Sequence, residues 1–291
     1  MTAPIALAAT DETATAPAYF TAGDDDVFAP TATAGGHWGA DLISGPAVAG
    51  LAAWALDRDF GQTGFTAARF SIDLMKPARQ VPTQVQTRVL REGRRVRYAQ
   101  CEILQDDWVV ARATMVQYSQ SEEPAGQVWT AAARFTAPAE ADDQALVVGS
   151  DDAGWSTLGA QHQNTSRKRA YYRGADVVEG QPTSPFVRAV IVAEAATNMV
   201  VNMGTAGIGY INGDLTLALA REPRSQHLGV QADSHFAADG VSVGTATLFD
   251  EAGPIGTATV TSLANPAAQI NFTGAARTEA PGAELFNSAG H

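Results

Sequence analysis

Two long apolar segments punctuate the chain, and each is followed by runs in which apolar and polar residues alternate. The first segment, residues 44–58, is apolar on most faces, with Ser44 placed to cap a helix and Pro46 in the first turn. The second segment, residues 187–203, has the same character. Both patterns predict largely buried helices.

Segments typical of β-strands surround each predicted helix. Those after the first helix are residues 68–75, 84–90, 96–103 and 109–118, and those after the second are residues 210–219, 228–233, 240–249 and 254–264. A further β-rich segment precedes each helix, at residues 19–28 and 168–172. The order of elements is therefore the same in both halves.

The residues that end corresponding strands also repeat, at a spacing of about 145 residues. Lys76 and Pro77 end the first strand of one half, and Arg221 and Pro223 end that of the other. One long helix wrapped by consecutive antiparallel strands, present twice, predicts an α+β fold of two tandem hotdog domains.

The domain boundaries follow from where composition changes. We expect hotdog domains at residues 19–120 and 165–272, joined by a linker at residues 121–164 with one short helix around Trp129. Residues 1–18 and 273–291 are predicted to be flexible tails.

Charge and cysteine content exclude several classes of protein. The net charge of −12 opposes general binding of nucleic acid or of anionic membranes. The single cysteine, Cys101, excludes an intramolecular disulfide, and a buried thiol is its expected role. No His and carboxylate pair has the spacing of a metal site, and no signal peptide or membrane span is evident, so we expect a soluble, cytoplasmic protein without a metal.

Several short motifs resemble the acyl-CoA thioesterases of the type II, double-hotdog kind. They are residues 37–39 and 44–46 at the entrance to the first helix, 69–77, 90–95, 192–198, 211–216, 220–223 and 248–253. The resemblance covers residues 19–120 and 165–265. It implies hydrolysis of a fatty or other acyl thioester in lipid metabolism, with coenzyme A as part of the substrate and no other cofactor. A homodimer is expected because symmetric pairs are the commonest assemblies.

The family mechanism implies three catalytic positions that hold a water against the thioester carbonyl. Its Asp, Thr and Gln fall here on Glu194, on Asn212, and on Val260 or Thr261. A carboxylate can orient or deprotonate water, while amide and hydroxyl groups stabilise the oxyanion. Asn198 lies one helical turn after Glu194 and shares its face. We therefore predict a catalytic group of Glu194, Asn198, Asn212 and Thr261.

Candidate substrate-binding residues lie in both halves. His37, Trp38 and Gly45 surround the entrance to the first helix, and Asp214 follows the second, where a structural ion pair with Arg188 or Arg221 is the competing interpretation. Arg91 and Arg94 belong to an arginine-rich hairpin, which is either a grip on coenzyme A phosphates or a solvated turn.

Two other functions stay open. Because Asn212 and Val260 differ from the family residues, the chain could be a binder of acyl-CoA or of another apolar ligand, or a structural double-hotdog protein. A hotdog enzyme of another chemistry, acting on a polyketide or related substrate, is the second alternative. Hydratases of this architecture use an Asp with a His five residues later, and none of the five His residues has that partner.

Overall fold

A computed structural model describes residues 17–140 and 146–274. Most of its strands join one 14-stranded sheet, and two helices pack side by side against it. The α+β double-hotdog prediction is confirmed. No helix of the described residues is long and apolar enough to cross a membrane.

The described part of the first half contains one α-helix and six strands. In chain order these are β1 (Ala18–Ala22), β2 (Val27–Pro30), α1 (Gly45–Phe60), β3 (Phe65–Leu74), β4 (Thr83–Glu92), β5 (Val96–Gln105) and β6 (Trp108–Ser119).

The second half repeats this order with additional short strands. They are β7 (Val147–Ser150), β8 (Lys168–Tyr172), β9 (Asp176–Val178), α2 (Pro185–Asn202), β10 (Met203–Gly204), β11 (Gly207–Ile208), β12 (Tyr210–Asn212), β13 (Asp214–Leu219), β14 (Leu228–Ala238), β15 (Val241–Asp250) and β16 (Gly253–Ala264). Short 3₁₀ helices occur at Ala32–Ala34, Gly159–His162, Pro266–Ala268 and Phe272–Gly274.

The halves meet where β3 pairs antiparallel with β13. The sheet runs β7-β8-β14-β15-β16-β13-β3-β6-β5-β4-β2-β1-β9, with β12 paired to β16. The parallel pairing of β9 with β1 places a strand of the second half on the outer edge of the first. Both helices are buried in the one core that the two halves share, so neither half covers its own helix completely.

Three details differ from the sequence-based prediction. The predicted strand over residues 19–28 is a hairpin, β1–β2, whose turn contains Asp25 and Asp26 at positive φ. No helix forms around Trp129, which is exposed in an irregular segment. The predicted linker contains β7, which extends the sheet by pairing with β8.

The predicted strand over residues 210–219 is interrupted at Gly213. Before the interruption Asn212 pairs with Ser262, and after it Thr216 pairs with Thr259, so the register against β16 shifts by one residue. Because side chains alternate between the two faces of a strand, this shift changes which residues of β12 face the core. Leu215 and Leu217 face inward on β13, and Asn212 does so on β12.

Candidate active site

A cavity of about 690 Å³ opens where the beginning of α1 meets the middle of α2. Its walls come from both halves: the loop before α1, the segment after β3, one face of α2, and β12. The lining residues used below are Gly45, Lys76, Glu194, Asn198 and Asn212. The site therefore exists only when the two halves pack together.

Glu194 is the acidic residue that lines this cavity. It lies in the middle of the apolar helix α2 and is 5% exposed. Its Oε1 atom accepts a hydrogen bond of 3.0 Å from Nδ2 of Asn212. Burial raises the pKa of Glu194 to about 7, and the Asn212 hydrogen bond opposes part of that rise. A carboxyl group with this pKa can exchange a proton near neutral pH.

Gly45, the first residue of α1, lies directly against the Glu194 carboxyl group. A Cβ atom at this position would clash with the carboxyl oxygens, so only glycine permits the approach. The N–H groups of a first helical turn have no acceptor within their own helix and carry the positive end of its dipole. The beginning of α1 thus places a hydrogen-bond donor beside a carboxylate contributed by α2.

Asn198 is oriented by hydrogen bonds on the side away from the cavity. Its Oδ1 accepts from Nδ2 of Asn202 at 2.7 Å and from the hydroxyl of Ser262 at 3.1 Å. Its Nδ2 donates to the carbonyl of Tyr210 at 3.1 Å. Since an amide has two N–H bonds, one donor of Asn198 is left without a partner among the described residues. Asn198 lines the cavity, so this donor is available to a substrate.

The network continues from Asn202 to the protein surface. Oδ1 of Asn202 accepts from the hydroxyl of Ser242 at 2.9 Å and lies 3.0 Å from Nε2 of His235. Its Nδ2 also donates to Ser262 at 3.2 Å. With both lone pairs and both hydrogens of Asn202 engaged, its amide has one orientation. Sequence reasoning missed Asn202, Ser242, Ser262 and His235, although the Asn198–Asn202 spacing of one helical turn was a usable signal.

Thr261 and Asp214 lie outside this group, so the predicted placement of Thr261 beside Glu194 is wrong. Thr261 is exposed, and both its N–H and its hydroxyl donate to the Asp214 carboxylate. Ser262, the next residue on β16, faces inward instead. The expected ion pairs of Asp214 are also absent from the described residues, because Arg188 pairs with Asp176 and Arg221 with Asp250.

Arg91 and Arg94 are exposed near the tip of the β4–β5 hairpin. The other end of this hairpin is the one near the cavity, since Gln105 bonds Thr83 and the backbone of Arg79 there. Ten residues of β4 span about 33 Å, so the tip lies far from the cavity. The structure does not support the prediction that this hairpin grips the substrate of this cavity.

His37 and Trp38 line the cavity as the sequence suggested, together with Gly45. His37 is exposed at the edge of the cavity, and partial desolvation there lowers the pKa of its imidazole. A neutral imidazole at pH 7 follows, and it adds no charge to the entrance.

Sequence comparison agrees with this arrangement of the two halves. The family profile for the acyl-CoA thioesterase N-terminal domain matches residues 35–118, and that for the C-terminal domain matches residues 99–263, more than half of the chain. The chain belongs to the acyl-CoA thioesterase family. The expectation of a thioester hydrolase is confirmed at this level. No curated protein matches the thioesterase by sequence.

Solved structures share the fold of this thioesterase at low sequence identity. The tesB protein of Mycobacterium avium subspecies paratuberculosis has a TM-score of 0.60 and 15% identity, over 85% of this chain and 96% of that one. The acyl-CoA thioesterase II TesB2 of Mycobacterium marinum has a TM-score of 0.61 and 13% identity, over 84% and 94%. A hot dog fold protein of Alicyclobacillus acidocaldarius has a TM-score of 0.62 and 14% identity, over 84% and 95%.

Proposed function

We propose that this thioesterase hydrolyses an acyl-CoA with Glu194 as the general base that activates water. The observation that carries the proposal is the position of Glu194: its buried carboxyl group, with a pKa of about 7, faces a cavity beside the first turn of α1. Burying a carboxylate in an apolar helix costs free energy unless the group is paired or used.

The polar groups described above each have a role in the proposed reaction. One oxygen of Glu194 is bound to Asn212, which leaves the other to accept a proton from water as its oxygen attacks the thioester carbon. The carbonyl oxygen becomes an oxyanion, which the N–H of Gly45 and the remaining N–H of Asn198 can stabilise. The C–S bond then breaks, and the thiolate takes the proton from Glu194. The products are a carboxylic acid and a free thiol.

The remaining cavity wall suits the acyl group. Its apolar side chains include Ile43, Val48, Leu146, Met199, Ile208 and Ile270. A volume of about 690 Å³ is within the range of pockets that bind small molecules. A fatty or comparable acyl chain would bury its apolar surface there, while the carbonyl lies in the cavity beside Glu194 and Gly45.

The metabolic role, the cellular location and the assembly of the protein are part of the same proposal. A role in lipid metabolism, a cytoplasmic location and a homodimer remain the sequence-based expectations. Coenzyme A enters as part of the substrate, and no separate cofactor has a role in the proposed steps.

Release of free thiol from a panel of acyl-CoAs of different length and branching tests this function. Glu194→Gln should lower turnover by at least about 100-fold, since a positioned base contributes about that much or more. Glu222→Gln is the control, because partial desolvation also raises the pKa of Glu222, but this residue is exposed and does not line the cavity. Unchanged turnover in Glu194→Gln would remove Glu194 from the mechanism.

The same panel separates the enzyme from a binder. If acyl-CoA raises the melting temperature but no thiol is released from any substrate, the chain is a binding protein. Thiol release by the parent that Glu194→Gln abolishes supports the hydrolase and its assigned base.

A further inference from the structure

Lys76 and Trp108 form a feature at the mouth of the cavity that the proposed reaction does not use. Lys76 lines the cavity between Met75 and Pro77, and its Nζ lies 3.2 Å from the centre of the Trp108 ring. The backbone N–H groups of Met75 and Lys76 donate to the carbonyl of Val110 at 2.9 and 3.1 Å. The segment that carries Lys76 is therefore fixed against β6, the strand that Trp108 begins.

Trp108 is 62% exposed, although tryptophan is among the largest apolar side chains. The Lys76 ammonium lies over one face of the indole ring and forms a cation–π contact with it. The exposed remainder of the ring is a surface on which a flat heterocycle can stack. Stacking of a nucleobase on an aromatic side chain strengthens binding without needing a particular base.

Cationic side chains close to this cavity are notable, because the chain as a whole has a net charge of −12. Neither Lys76 nor the exposed Arg79, three residues later, forms an ion pair with a carboxylate of the described residues. Gln105 holds the Arg79 backbone through both its N–H and its carbonyl. Lys76 lines the cavity and Arg79 directly follows Ala78 of its lining, and two cations in this segment favour an anionic ligand such as a phosphate.

We infer that Trp108, Lys76 and Arg79 bind the nucleotide part of the substrate: the adenine stacks on Trp108 and the phosphates lie near the two cations. The inference rests on the proposed function and refines it, because it assigns particular residues of this chain to the nucleotide part of the substrate. A thioester on a carrier protein shares the pantetheine arm but has no adenine to stack. Asp106 and Asp107 flank Trp108, so the phosphates are expected on the Lys76 side of the ring.

Truncated substrates test this assignment. For the parent, the KM of an acyl-pantetheine should exceed that of the same acyl-CoA by at least about 10-fold, the scale of one stacked base. Trp108→Ala and Lys76→Gln should each bring the two KM values closer together, and Trp108→Phe should restore part of the difference. Arg91→Ala with Arg94→Ala is the matched control, because it removes two exposed cations at the far end of the hairpin.

Binding of coenzyme A alone, measured by titration calorimetry, separates this inference from the proposed hydrolysis. Weaker binding by Trp108→Ala than by the parent supports the nucleotide site even if no thioester is cleaved. Equal KM values of acyl-CoA and acyl-pantetheine in the parent, or unchanged coenzyme A binding in both Trp108→Ala and Lys76→Gln, would overturn it.

Discussion

The two halves have the same architecture, but only one of the two corresponding helix positions carries a carboxylate. Counted from the helix N-caps Ser44 and Ser184, Glu194 of α2 corresponds to Trp54 of α1. Trp54 packs edge-on against Phe28 at 5.6 Å and lies under Arg58. The position that holds a carboxylate in one half thus holds an aromatic side chain in the other.

The helix beginnings differ in the same way. Gly45 opens α1 and offers a backbone N–H, whereas Pro185 opens α2 and has none. Phe186 then packs against Phe70 with ring centres 6.2 Å apart. The position in the first half therefore has no carboxylate, the beginning of α2 has no N–H at its first residue, and both places are filled by packed aromatic side chains. Two halves with the same fold can thus place very different chemistry at corresponding positions.

The largest expected difference in turnover is between variants at the first residue of each helix. Gly45→Ala would push a Cβ atom into the Glu194 carboxyl group, and a displacement of about 1 Å can lower turnover by about 100-fold. Pro185→Ala changes the corresponding residue of α2 and should leave turnover within about twofold. Free-thiol release from one acyl-CoA measures both. Similar losses in the two variants would contradict the asymmetry.

Replacing Glu194 should lower turnover but stabilise the folded protein at high pH. Because the folded-state pKa of Glu194 is raised to about 7 from its ordinary value of 4.5, its stabilising contribution is complete below about pH 4.5 and is lost as the pH rises through 7. Glu194→Gln removes this loss and should stabilise the protein at pH 8 by on the order of 2 to 3 kcal/mol relative to its effect at pH 4.5. Urea unfolding at both pH values tests the sign, with Glu222→Gln alongside.

The network behind Asn198 should have a smaller effect. Asn202→Ala removes one of the two donors that orient the Asn198 amide, so turnover should fall by about 10-fold, the value of one hydrogen bond. Gln62, the corresponding position after α1, is bound only at the surface to Arg97. Gln62→Ala should therefore leave turnover unchanged. A fall in kcat with little change in KM distinguishes lost orientation from lost substrate binding.

The smallest expected effect is a shift in the pH dependence of kcat/KM. Glu194 must be deprotonated to act as base, so kcat/KM should rise with pH and level off above about 7. Asn212→Ala removes a hydrogen bond that lowers this pKa, which should move the rise to higher pH by less than about one unit. The corresponding residue of the first half is Ala67, which already lacks such a group. A shift to lower pH would contradict the proposed bond.

The sequence alone determined the repeated order of elements and the family. Helix and strand periodicities are local, and both helices and most strands could be predicted because apolar spacing reports which face is buried. Glu194 was also identifiable, since a carboxylate in an apolar helix is conspicuous. The family motifs at the entrance to α1 pointed correctly to His37, Trp38 and Gly45 as neighbours of the cavity.

Only the tertiary structure decided which polar groups meet. The one-residue shift at Gly213 turns Asn212 toward Glu194, and the register of β16 turns Ser262 inward and Thr261 outward. Strand alternation makes a one-residue error exchange the two faces, and sequence patterns do not fix strand boundaries that finely. The contact of Gly45 with Glu194 joins residues from different halves, and it depends on how α1 and α2 pack, which no local pattern encodes.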